Sequence, residues 1–145
     1  MYNGIENITI CDHPLLKHKL SILRNKNTGT NEFRIIVEEI AMLIGYEALR
    51  DLEVEYAPVE TPLETAMCPF IAGKKPAVVP ILRAGLGMVE GIQRLIPQAK
   101  VGYIGLCRNE ETLEPELYYE KFPSNIADAT VFLVDPMLAT GGSCA

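Results

Sequence analysis

The strongest constraint in this chain is the alternation that begins at residue 77. Ala77-Val-Val-Pro-Ile-Leu82 is an apolar run interrupted only by Pro80, and it reads as a buried strand. A tight turn, Arg83-Ala-Gly-Leu-Gly87, leads at once into a helical pattern of Met88, Val89, Ile92, Leu95 and Ile96 that stops at Pro97. A second apolar strand follows at Lys100-Val-Gly-Tyr-Ile-Gly-Leu106, and a third at Val131-Phe-Leu-Val134. Strands alternating with a helix predict an α/β fold built on a largely parallel sheet flanked by helices. In such sheets ligands sit outside the carboxyl ends of the strands, which makes the residues there the candidates for chemistry.

Three charged residues fall at those ends. Arg83 stands where a buried strand meets a glycine turn, and a buried arginine needs either a structural ion pair or an anion to hold. Arg108, in Cys107-Arg-Asn-Glu-Glu-Thr112, repeats the arrangement after the second strand. The third strand ends abruptly in Asp135 and Pro136, and the loop Thr140-Gly-Gly-Ser143 follows. Two glycines between hydroxyls let backbone N–H groups approach an anion with no Cβ in the way. An acid at the strand end accepts hydrogen bonds from sugar hydroxyls, so this unit fits a ribose 5-phosphate. An ordinary turn is the alternative, since Asp-Pro and Gly-Gly are both common turn dipeptides.

The rest of the chain reads as scaffold. Residues 1–12 form a polar, extended lead-in. Pro14, Leu15, Leu16, Leu20 and Leu23 predict a short first helix, with His13 as its cap and His18 in solvent rather than as metal ligands. After the loop 25–30, Asn31 is the expected N-cap of a long helix to about Leu49, whose stripe of Phe33, Ile36, Val37, Ile40, Leu43, Ile44 and Ala48 is expected in the core. Leu52-Glu-Val-Glu-Tyr56 alternates as an antiparallel edge strand, and Pro58, Pro62 and Pro69 predict loop as far as Gly73. Lys74 and Lys75 read as a solvated pair. Leu113 to Phe122, with Tyr118 and Tyr119, reads as a hairpin arm, spanning about 109–123 with its turn.

Composition narrows the function classes. A chain of 145 residues is the size of one domain, and an apolar fraction of 48% suits a single buried core. The net charge of −6 argues against general binding to nucleic acid or an anionic membrane. Cys11, Cys68, Cys107 and Cys144 lack any paired ligand spacing, so they read as reduced thiols. No apolar run approaches transmembrane length and no signal-peptide pattern opens the chain, which places the expected protein in the cytoplasm.

The run Val134-Asp-Pro-Met-Leu-Ala-Thr-Gly-Gly-Ser143 resembles the phosphoribosyl diphosphate (PRPP) loop of the type I phosphoribosyltransferases, and in its wording that of the uracil phosphoribosyltransferases. Many type I enzymes carry two adjacent acids here, whereas Asp135 is followed by Pro136, as in the uracil enzymes. Ile81-Leu-Arg-Ala-Gly85 is similar to the family's pyrophosphate loop, and Thr28-Gly-Thr-Asn-Glu-Phe-Arg-Ile35 to its N-terminal helical region, here residues 13–50.

The resemblance implies transfer of the 5-phosphoribosyl group from PRPP to uracil, giving uridine 5′-monophosphate (UMP) and diphosphate, for pyrimidine salvage. Arg83, Arg108 and Asp135 would be catalytic. PRPP would lie against Arg83, Ala84, Gly85, Arg108, Asp135, Pro136, Met137, Leu138, Ala139, Thr140, Gly141, Gly142 and Ser143. Mg²⁺ would be held mainly by PRPP, with no protein metal site. The resemblance also implies a homo-oligomer (dimer or higher) to which the arm contributes while covering the site, and a GTP effector of the kind some members use. In the family the base is recognised by a segment beyond the position of Ala145. No residue here is therefore assigned to uracil, and residues 1–145 alone are expected not to turn over. Two readings compete. Gly85-Leu-Gly-Met-Val-Glu-Gly91 comes within one residue of a dinucleotide fingerprint, and a nucleotide-sensing RNA-binding regulator could use the same scaffold.

Overall fold

The structure, a computed structural model, describes residues 8–73, 75–109, 111, 114–124, 126–137 and 141–144. Helix α1 (Pro14–Leu23) opens on a proline whose fixed φ suits a first turn, and His13 caps it, its Nδ1 accepting from the Leu15 N–H at 3.2 Å. His18 is exposed, as its position off the apolar stripe predicted.

Helix α2 (Thr30–Ala48) starts two residues earlier than expected. Its cap is Gly29, and Asn31 lies inside the first turn. The preceding loop explains the shift. Thr28 Oγ1 donates to Ile22 O at 2.6 Å and the Asn27 N–H to Asn25 Oδ1 at 3.0 Å, closing the loop tightly enough that Thr30 is already helical. The buried face of α2 is Ile36, Val37, Ile40, Ala41 and Gly45, so the expected stripe needs correcting. Phe33, Ile44 and Ala48 are exposed. The reason lies in α3 (Leu86–Leu95), which presses small residues against small ones: a Cβ on Gly91 would stand 2.2 Å from Glu38 O and 3.1 Å from the Ala41 Cβ. Across the same contact Arg94 Nε reaches Glu38 Oε1 at 2.7 Å, off the direction for a hydrogen bond, so charge alone holds that oxygen. On the other side of α2, Leu16 of α1 packs with Ile36 and Ile40, and Lys19 pairs with Glu39 at 2.6 Å. Near the end of α2, Arg50 grips Glu47 with two hydrogen bonds of 2.8 and 2.6 Å, which hold that carboxyl below its usual range.

Between the helices comes a ribbon of β1 (Val54–Glu60) and β2 (Thr65–Ile71), paired antiparallel over their whole length. This corrects the expectation of loop through the prolines, because Pro58 and Pro69 lie inside the strands. A two-stranded ribbon leaves alternate N–H groups pointing outward, where a proline forfeits no ladder bond. The turn is closed by Thr61, whose hydroxyl donates to Glu64 O at 2.6 Å.

The main sheet is built round β3 (Ala77–Leu82), with all but the last residue buried. β3 runs parallel to β4 (Lys100–Val101) and β5 (Tyr103–Arg108) on one side and to β7 (Val131–Val134) on the other. The strand continues through Pro80. Its pairing lapses between Val78↔Val101 and Ile81↔Ile104, at the level where Pro80 has no N–H to give. β6 (Pro115–Lys121) runs antiparallel along β5 as the outer strand, so this part of the expected arm joins the main sheet, and β1–β2 is the ribbon that stands apart. A short 3₁₀ turn (Ile126–Asp128) leads into β7. The main core gathers Val37 and Ala41 of α2, Met88, Val89 and Ile92 of α3, and Val78 and Val134 of the sheet. Among the described residues no helix is long and apolar enough to cross a membrane.

Candidate functional site

Parallel pairing decides where the charged residues go. β5, β3 and β7 are neighbours in that order and point the same way, so all three deliver their carboxyl ends to one edge of the sheet. Arg83 follows Leu82, which pairs with Gly105, and Arg108 closes β5 three residues beyond that level. Asp135 follows Val134, whose partner is Pro80. Arg83 therefore stands between Arg108 and Asp135, whose strands lie about 10 Å apart at the usual strand spacing.

The turn after β3 is tight. The Leu82–Arg83 peptide bond is cis, and α3 begins at Leu86. Gly85 is buried against the sheet, and a Cβ there would meet Val134 O at 2.3 Å and Ile81 N at 2.9 Å. Its N–H donates to Ile81 O at 2.9 Å. Its one donor is engaged inside the turn, and its missing Cβ makes room for β7. Arg83 and Ala84 are the exposed part of the turn. Arg83 makes no ion pair among the described residues, which removes the structural-pair alternative there and corrects the premise that this arginine is buried.

The loop after β7 opens with Asp135, half-buried, whose Oδ1 lies 3.5 Å from the Met137 N–H, a long contact of the kind an aspartate makes with its own turn. Pro136 and Met137 are exposed. Leu138, Ala139 and Thr140 lie outside the described residues. The chain returns at Gly141, whose φ of +82° is in the left-handed region that favours glycine, and the Cys144 N–H donates to Gly141 O at 2.9 Å. Gly142 and Ser143 of this turn are exposed. Arg108 is exposed too and makes no ion pair among the described residues.

A cleft of about 500 Å³ joins two of these ends, lined by Arg83 and Ala84 from one and Pro136 from the other. Its far wall includes Phe33 and Arg34 of α2 and Glu90 of α3. The sequence pattern places Phe33 on the expected core stripe and Arg34 off it. Their one signal was the similarity of residues 28–35 to the family's helical region, which carried packing content only. Arg108 and Asp135 do not line this cleft. Lys75 lines a separate hollow between β2 and the end of α3, and Lys74 lies outside the described residues. Among the described residues no group of three His, Cys, Asp or Glu could hold a metal ion. Gly91, the last glycine of the near-fingerprint, lies within α3 against Glu38 O, which leaves it no part in a phosphate turn.

By fold and by the placing of its charged residues, this is an α/β protein with its candidate ligand groups at the carboxyl ends of a parallel core. The AQ2163 protein from Aquifex aeolicus shares that fold, with a TM-score of 0.87 at 39% identity over 94% of this chain and 65% of that one. Residues 10–145 match the family model for uracil phosphoribosyltransferase. Proteins named uracil phosphoribosyltransferase from Thermoanaerobacter sp. (strain X514) and Lactococcus lactis subsp. cremoris are 57% and 59% identical over 138 and 134 residues, or 95% and 92% of this chain. The chain belongs to the uracil phosphoribosyltransferase family. It spans 66% and 64% of the length of those two relatives.

Proposed function

We propose that this protein transfers the 5-phosphoribosyl group of PRPP to uracil, giving UMP and diphosphate, and that residues 1–145 belong to one domain that holds the PRPP half of the reaction. A uracil nitrogen attacks C1′, the C1′–diphosphate bond breaks with oxocarbenium-like charge on the sugar, and the nitrogen's proton leaves to solvent. Arg83 and Arg108 neutralise the charge that grows on the diphosphate, and the exposed backbone at Ala84 lies beside it. Asp135 orients the ribose through its hydroxyls. The loop from Pro136 to Ser143 holds the 5-phosphate through backbone N–H groups. Mg²⁺ neutralises part of the diphosphate charge when bound. Asp135 at the rim is one oxygen donor for an ion that takes most of its oxygens from substrate and water. The reading extends to a cytoplasmic homo-oligomer, dimer or higher, with GTP as an effector. The ribbon β1–β2 leaves Val54, Tyr56, Met67 and Ile71 exposed on one face, an apolar surface available for such contacts.

The observation that carries the reading is the gathering of Arg83, Arg108 and Asp135 at one end of three adjacent strands in a chain of this family. No observation favours the RNA-binding regulator or the dinucleotide enzyme. The test is the intact protein incubated with Mg²⁺, PRPP and labelled uracil. Labelled UMP and stoichiometric diphosphate are expected, and PRPP left unconsumed would contradict the proposal.

A further inference from the structure

The three strand ends differ in what steadies their charged residue. Asp135 touches its own turn, and Arg83 sits on a turn pressed against β7. Arg108 has no such support from its own side chain. The residue after it has several contacts. The Asn109 N–H donates to Glu114 O at 2.9 Å, its Oδ1 accepts from the Glu111 N–H at 2.8 Å, and its Nδ2 donates to Glu116 Oε1 at 2.6 Å. Chemistry settles which end of the amide is which, because a backbone N–H only donates and a carboxylate only accepts. Glu116 lies on β6 in register with Cys107, and Pro115 with Arg108, so these bonds tie the turn to both strands at the level of the guanidinium's own backbone.

We propose that Asn109 is a positioning residue for Arg108: through Glu111 and Glu116 it fixes the direction in which β5 delivers the guanidinium to the diphosphate. The proposal rests on the reading of Arg108 given above. Two physical effects support it. An arginine side chain has several free torsions, and a misplacement of about 1 Å at a reacting group can cost on the order of 100-fold, so the backbone at its root has to be held. The register of β5 and β6 also sets Glu116 on the face of Cys107, so its carboxylate holds Asn109 in a charge-assisted hydrogen bond from the face opposite that of Arg108.

Calorimetric titration of Mg²⁺–PRPP into the intact protein tests this with four variants: Arg108→Ala, Asn109→Ala, Asn109→Asp, and Asn109→Asp combined with Glu116→Gln. Asn109→Ala should weaken PRPP about tenfold, because the guanidinium is no longer held in place, and lower the thermal midpoint by only about 2–4 °C. Asn109→Asp keeps the acceptor for Glu111 but sets two carboxylates face to face, and should weaken binding at least as much. Adding Glu116→Gln restores a donor opposite the new acceptor and should bring affinity back to within roughly threefold of wild type. If Arg108→Ala binds PRPP like wild type, the reading of Arg108 itself falls. If Arg108→Ala is impaired while both single Asn109 variants bind normally, this proposal alone falls. It falls equally if the combined variant stays as weak as Asn109→Asp, which would assign the loss to a disordered turn.

Discussion

The turns after β3 and β7 each place glycine behind a strand end, yet the two glycines serve opposite needs. Gly85 has an ordinary φ of −66° and is buried, and what it lacks is a Cβ that would strike Val134 O at 2.3 Å. Gly141 has a φ of +82°, which no L side chain adopts comfortably. The first glycine is there for another strand, the second for its own backbone. The first also links the two turns, because Val134 is the residue before Asp135. Gly85 thus lets the end of β7, one residue before Asp135, lie against the turn that carries Arg83.

Substitutions at these turns break the comparison in graded ways. Gly85→Ala should have the largest effect, because the added methyl meets backbone of both β3 and β7. A loss of at least about 3 kcal/mol in unfolding free energy is expected by denaturant titration, with PRPP binding lost as well. Gly141→Ala should cost about 1–2 kcal/mol, the penalty of a left-handed conformation. If the two variants lose equal stability, the distinction between them is wrong. Asp135→Asn should leave stability within about 0.5 kcal/mol of wild type, since the amide keeps the size and can still accept from Met137. Its kcat/KM for PRPP should nonetheless fall about tenfold through the lost charged acceptor. A stability loss without a kinetic one would make Asp135 a turn residue only.

The parallel core was legible because β3 and β7 are apolar runs too short for helices, with β4 and β5 continuing the same pattern over Lys100-Val-Gly-Tyr-Ile-Gly-Leu106. The rim positions of Arg83, Arg108 and Asp135 followed directly, since parallel strands bring their carboxyl ends together. Other features left no signal. Pro58 and Pro69 read as loop because a proline excludes a central strand, and nothing local reveals that the ribbon β1–β2 has free outer edges. Ala41 and Gly91 carry little hydrophobicity, so the close approach of α2 to α3 could not be read from a stripe of large residues. The packing role of Gly85 left no local signal, because the carbonyl that fills the place of its Cβ belongs to a strand far along the chain. Phe33 and Arg34 look like a helix's core and solvent positions until α2 is laid beside the turn after β3.

The central claim is that adjacent strand ends make one PRPP site with Arg83 in the middle. Steady-state kcat/KM for PRPP, compared between the intact wild type, Arg83→Ala and Arg83→Lys, tests it most directly. Arg83→Ala removes a charge-assisted contact to the group whose charge grows in the transition state, and kcat/KM should drop by roughly 30- to 1,000-fold, or about 2–4 kcal/mol. Arg83→Lys should recover part of that loss, because it keeps the charge without the planar fork. Wild-type kinetics in Arg83→Ala would contradict the claim.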